Sequence, residues 1–154
     1  MADGVCNIAK GRAKEYYDRV KSNDPTGSVL TLILFTGTEA DDDIEAFDDI
    51  AALLAGTLAR PTDGSYVDKD LTDVDLAATP APDDSADDNS YTLPNTTWTA
   101  LAGGESITRM VVCYDDTGAS ADAALIPLTF HDFVLTSNGS DVTAQFGADV
   151  FTAA

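Results

Sequence analysis

The sequence predicts an α+β fold: mainly an antiparallel β-sandwich or barrel, with two helices in the N-terminal third. Three observations carry this. Apolar residues recur at helical spacing only ahead of Gly56, and past Pro61 the pattern changes to an alternation of period two. The acids are 23 Asp against 4 Glu. Asp favours turns and caps over helix interiors, so this bias suits a loop-rich, strand-rich body. A length of 154 residues, 44% hydrophobic with 6 Pro, fits one folded domain. Within it a basic helix covers about 7–21 and a β-rich body about 27–154.

Taken in order, residues 7–21 form an amphipathic helix. Ala9, Ala13, Tyr16 and Val20 make its apolar stripe, with Ile8 and Tyr17 beside it. Asn7 is the expected N-cap, and Ser22-Asn23-Asp24-Pro25 is a strong stop. GSVLTLILF, residues 27–35, is a continuous apolar run of strand length and predicts a strand buried on both faces. In TGTEADDDIEAFDDIAALLAG a second helix is capped by Thr38 or Asp41. Its stripe is Ile44, Phe47, Ile50, Ala51 and Leu54, and Gly56 ends it.

Strands follow over 66–76, 91–101 (with the only Trp), 107–114 and 124–130. Between them, residues 79–89 read as a solvated loop, Gly103-Gly104 as a turn and 115–122 as an acidic loop. Near the end, TSNGSD places Asn138-Gly139 as a two-residue hairpin turn. That register sets Leu135 against Val142, Phe133 against Ala144 and His131 against Phe146 on an apolar face. Thr136/Asp141, Val134/Thr143 and Asp132/Gln145 fill the other, mostly polar, face.

The charge is unevenly placed. Residues 1–21 hold five bases and three acids, a net of +2, while residues 22–154 hold three bases and 24 acids, a net of −21. So negative a body repels nucleic acid and anionic membranes, so neither is an expected partner. The same composition would suit a salt-adapted host. No signal-peptide pattern or membrane-length apolar stretch is present, which predicts a soluble protein made in a cytoplasm. Cys6 and Cys113 are too few for a disulfide framework. They are expected as reduced thiols, Cys113 in a strand core and Cys6 near a mobile end, although a Cys6–Cys113 bridge stays open.

Chemistry-bearing patterns are sparse. His131 is the only histidine, and its neighbour Asp132 points to the opposite face of a strand, so the two cannot form a dyad. A satisfied histidine at a sheet edge is the expectation. The groups Asp41–Asp43, Asp68/Asp70/Asp73/Asp75 and Asp83-Asp84/Asp87-Asp88 invite weak calcium binding, but none has EF-hand spacing. Two distant Cys and one His make a poor zinc site, and no phosphate-cradling Gly loop occurs. The expectation is a protein that is not an enzyme and carries no cofactor or metal.

The stretches AKGRAKEYYDRV, IAALLAG, LTDVDLAA, LPNTTWTA, VVCYD and IPLTFHDFVLTSNGSDVTAQ occur in this order over nearly the whole chain. Together they resemble a family of small virion proteins of tailed bacteriophages with high-GC hosts. The resemblance implies a structural protein on the virion head surface, a capsid decoration (cement) or minor capsid protein bound to the major capsid protein. It also implies a β-rich homo-oligomer, with a trimer favoured. The basic residues Lys10, Arg12, Lys14, Arg19 and Lys21 are the candidate partner-binding patch, facing an acidic surface of the shell or of a neighbouring copy. The alternatives are a tail or fibre attachment module that binds a host receptor, or a non-viral salt-adapted β-domain. For the helix itself, the alternative is that its bases merely balance nearby Asp.

Overall fold

The computed structural model describes residues 3–79, 89–147 and 151–153. Most of the expected loop over 79–89, with Asp83, Asp84, Asp87 and Asp88, lies outside the described residues.

The apolar run becomes strand β2 (Val29–Thr36), after a short β1 (Gly4–Val5). Every β2 residue but the last is buried. Leu30, Leu32 and Leu34 enter one hydrophobic core, and Ile33 and Phe35 enter a second on the opposite face. Alternation through the pleat therefore feeds two cores from one strand. Next in chain order come β3 (Lys69–Leu71), β4 (Asn89–Tyr91), β5 (Thr96–Trp98), β6 (Ser106–Asp115), β7 (Ile126–Thr136), β8 (Val142–Ala144) and β9 (Phe151–Ala153). The main sheet has the order β1-β7-β6-β2-β3, with every neighbouring pair antiparallel. Its edges are β1 and β3, so it is open and not closed into a barrel. Two small ribbons, β4-β9 and β5-β8, stand apart from it.

The predicted N-terminal helix is divided. A 3-10 turn (Asn7–Ala9) precedes helix α1 (Ala13–Lys21), and Gly11 at φ +79° breaks the ladder between them. Asn7 is therefore the first residue of the turn and caps nothing. The stripe is where the spacing put it: Ala9, Ala13, Tyr16, Tyr17 and Val20 are all buried in the first core. Tyr17 stacks on Tyr91 at 4.7 Å between ring centroids, and Tyr16 meets Tyr114 at the same distance. Lys21 ends α1, as the stop signal requires.

The second helix is also two: α2 (Asp41–Ala46) and α3 (Ile50–Leu54). Neither Thr38 nor Asp41 caps α2, whose N-cap position is Ala40. The break follows from Asp49, whose Oδ1 accepts the Ala52 amide at 2.7 Å. A residue that caps so well starts a new helix and does not continue the old one. Ile44, Ile50 and Leu53 cover the second core, with Phe47 and Leu54 packed at its margin. Ala51, expected on the stripe, is exposed.

Two strand expectations are shortened. Only Lys69–Leu71 of the stretch 66–76 pairs with β2. Thr72 then closes a capping box with Asp75 and begins a single helical turn, α4 (Asp73–Leu76). The stretch 91–101 contributes β5 and buries Trp98, whose indole donates to the Val67 carbonyl at 3.0 Å.

The predicted 131–146 hairpin is not formed. Strand β7 continues through Thr136 and pairs with β6 along its length, including Asp132 with Arg109 and Leu135 with Ile107. Strand β8 instead pairs with β5, setting Trp98 against Val142 and the Thr97 hydroxyl 2.8 Å from that of Thr143. At Asn138-Gly139 the chain bends, with Gly139 at φ +89° and the Ser140 amide donating to Asn138 Oδ1, but the bend carries it from one sheet to another. The β6 ladder takes only the inner edge of β7; β8 leaves the outer edge because Val142 and Ala144 are buried with Trp98 in the first core.

Candidate functional site

The groups capable of chemistry are turned inward. Cys6 and Cys113 are free, and Cys6 is as fully buried in the second core as Cys113. Burial pushes the Cys6 thiol up to about 12, with Glu45 adding to the shift. Burial likewise holds the Cys113 thiol well above its ordinary value. Neither is a thiolate near neutral pH. His131 lies on β7 with its Nε2 2.9 Å from the Thr129 hydroxyl and its Nδ1 3.5 Å from Asp3 Oδ2. Burial lowers its pKa more than Asp3 and Asp132 raise it. Asp132 pairs elsewhere, as alternation requires: its Oδ1 lies 2.5 Å from Arg109 Nη1, in ion-pair contact without hydrogen-bond alignment.

The acidic groups are divided among separate local tasks. Asp41 binds Arg109, Asp68 and Asp122 bind Arg60 from two sides, Asp70 accepts the Thr31 hydroxyl and Asp75 caps α4. Asp115, buried at the end of β6, would be pushed up by burial. Hydrogen bonds from the Ser120 hydroxyl and the Thr117 and Ser120 amides together outweigh that and hold it low. Among the described residues no group of three His, Cys, Asp or Glu is placed to share a metal ion. No helix among them is long and apolar enough to cross a membrane.

The five bases of the predicted patch all find partners within the chain. Lys10 reaches Glu45 on α2 at 2.9 Å, and Lys14 reaches Asp18 at 2.6 Å. Arg12 and Arg19 share Glu15, which the two guanidiniums hold below the usual carboxylate range. Lys21 donates to the Thr79 carbonyl at 2.9 Å. Arg12 also covers the Tyr16 ring at 4.8 Å. The patch is thus an exposed flank whose cations are half-satisfied by neighbours, while the stripe beneath belongs to the core. Exposed pairs of this kind are weak and exchange readily for another carboxylate.

Two concave features lie elsewhere, on opposite faces of β7. One is a cavity of about 170 Å³ lined by Met110, His131, Phe133, Ala144, Phe146 and the Asp3 carboxylate. The other is a groove of about 210 Å³ lined by Thr38, Glu39, Thr108, Arg109, Asp132 and Val134. Hydrogen bonds from Thr57 hold Glu39 low, so it faces the groove as an anion. Sequence reasoning missed both. The residues of two apolar pairs it proposed, His131 with Phe146 and Phe133 with Ala144, line this one cavity, but they are not ladder partners. For Asp3 there was no signal.

Scans of this chain against family models, curated proteins and solved structures return no match.

Proposed function

We propose that this protein is a structural component of a tailed-bacteriophage virion, a decoration protein bound to the outside of the head through the major capsid protein. The reading rests on the ordered stretches that resemble small virion proteins. The structural observation that supports it best is the disposition of the reactive side chains. Both thiols are sealed in a core and the one imidazole is occupied, while charge and concavity lie on the surface. Such a molecule is suited to adhere. The β5-β8 ribbon, packed over the first core through Trp98, Val142 and Ala144, is read as the second layer of a partial sandwich. A trimer is the proposed assembly.

Lys10, Arg12, Lys14, Arg19 and Lys21 are the proposed shell contact. Deleting residues 1–21 would not test this, because Ala9, Ala13, Tyr16, Tyr17 and Val20 would leave the core with them. Reversing charge on the exposed flank does: Lys10→Glu with Arg12→Glu keeps the stripe. Purified protein mixed with undecorated heads should co-sediment and appear in many copies over the head by electron cryomicroscopy. The charge-reversed form should stay in the supernatant while keeping its circular dichroism. Density confined to the tail would favour the attachment reading, and no binding to any particle would sink both.

A further inference from the structure

The two concave features become one site when β7 is followed along its length. Strand β1 covers the outer edge of β7 only at Thr129 and Phe130, through Val5 and Gly4. One residue further on, the Asp3 side chain substitutes for a strand and accepts the Asp132 amide at 3.2 Å. Val134–Thr136 lie four to six residues beyond the last β1 pairing, at Phe130. Among the described residues, no strand pairs with that edge. Its sequence, FVLT, is of high strand propensity, and Val134 is 68% exposed. An open edge of this composition is a template for another strand.

The cavity and the groove sit on either side of this edge, one reached past Phe133 and the other past Val134. A strand laid against an edge sends alternate side chains to opposite faces, which is the arrangement two flanking pockets can read. Each carries a carboxylate: Asp3 on the His131 face, and on the opposite face Glu39, beside an Asp132 already paired with Arg109. The only permanent cation present, Arg109, is already held by Asp41 and Asp132. His131 is mostly neutral near pH 7, since burial lowers its pKa. The apolar walls of Met110, Phe133 and Phe146 accept alkyl stems, and the carboxylates accept the heads they carry.

We propose that the outer edge of β7 from Phe133 to Thr136 binds an extended basic segment of a partner protein. That segment pairs as an added strand, with Lys or Arg side chains alternating with apolar ones and seated in the flanking cavity and groove. The proposal does not depend on the head-surface reading, since it concerns the isolated protein. The net charge of −19 argues for a basic partner over a second copy of this chain.

The test titrates isotope-labelled protein with a blocked octapeptide of alternating Val and Lys, followed by NMR. Amide shifts should concentrate at Asp3, His131–Thr136 and residues 144–147. A peptide of alternating Pro and Lys has equal charge but cannot pair as a strand, and it should leave those amides unmoved. Val134→Lys, at an exposed position, should weaken Val-Lys binding at least tenfold with the fold intact. Equal response to the two peptides, shifts spread over the acidic loops, or an unchanged affinity in Val134→Lys would overturn the proposal. So would dimerisation of the free protein through β7, since the edge would then already be occupied by a second copy.

Discussion

Strands β2 and β7 belong to one sheet and both read as apolar runs, yet they live in different surroundings. VLTLILFT has a neighbour on each side, β6 along its whole length and β3 for three residues, and a core on each face. IPLTFHDFVLT begins the same way, with Leu128 and Phe130 fully buried. Past His131 its cover thins, and Val134 is the most exposed large apolar residue of the strand. A strand can therefore be structural at one end and adhesive at the other. Polar residues mark the crossing point: Thr129 and His131 bond each other on one face, and Asp132 clamps Arg109 on the other.

The contrast can be broken most forcefully in β2. Ile33→Ala empties a fully buried site and should cost about 2–5 kcal/mol in urea denaturation. At the junction, Asp132→Ala leaves the Arg109 guanidinium, stacked 5.6 Å over Phe130, with Asp41 as its remaining acid. A loss of about 3 kcal/mol is expected by the same measurement. Thr129→Val keeps the shape but removes the hydroxyl that His131 Nε2 meets, and should cost about 1–3 kcal/mol.

A gentler probe is pH. Burial lowers the His131 pKa in the folded state below the ordinary 6.5, so the unfolded chain binds the proton first. Stability contributed by the neutral ring is complete above 6.5 and declines as pH falls through the window just below it. The melting temperature of wild type should drop there more than that of His131→Gln, and parallel curves would refute the assignment. Smallest of all, Val134→Ala should change stability by less than about 0.5 kcal/mol. A large effect would mean that the outer half of β7 is part of the core after all.

What the sequence made legible follows from how local its signals are. The α1 stripe and the doubly buried β2 were readable because spacing alone encodes which face is covered. Gly11 and Asp49 were harder, since one left-handed residue or one strong cap divides a helix without disturbing its apolar periodicity. Thr72-x-x-Asp75 was a readable capping box concealed by alternating Asp. The Asn138-Gly139 bend was real, but a bend specifies only a change in the direction of the chain. Which strand receives the next segment is decided by where Val142 and Ala144 can be buried, and that partner, β5, lies 44 to 48 residues upstream. The β7 edge was illegible for the same reason: exposure there depends on which distant segments pair with it, which no spacing in β7 records.

The double burial of β2 also sets an order of events during synthesis. Leu32 pairs with Val112, eighty residues later in the chain. Until Ser106–Asp115 has been made, VLTLILFT has only the three residues of β3 to cover one edge. This segment carries no charge and no proline, the composition that stacks most readily with copies of itself. Asp24 precedes it, and Glu39 and Asp41–Asp43 follow it within a few residues, placing anions on both sides of the run. The acidity that gives the finished protein its surface thus also acts earlier, holding nascent chains apart while β2 waits for its partner.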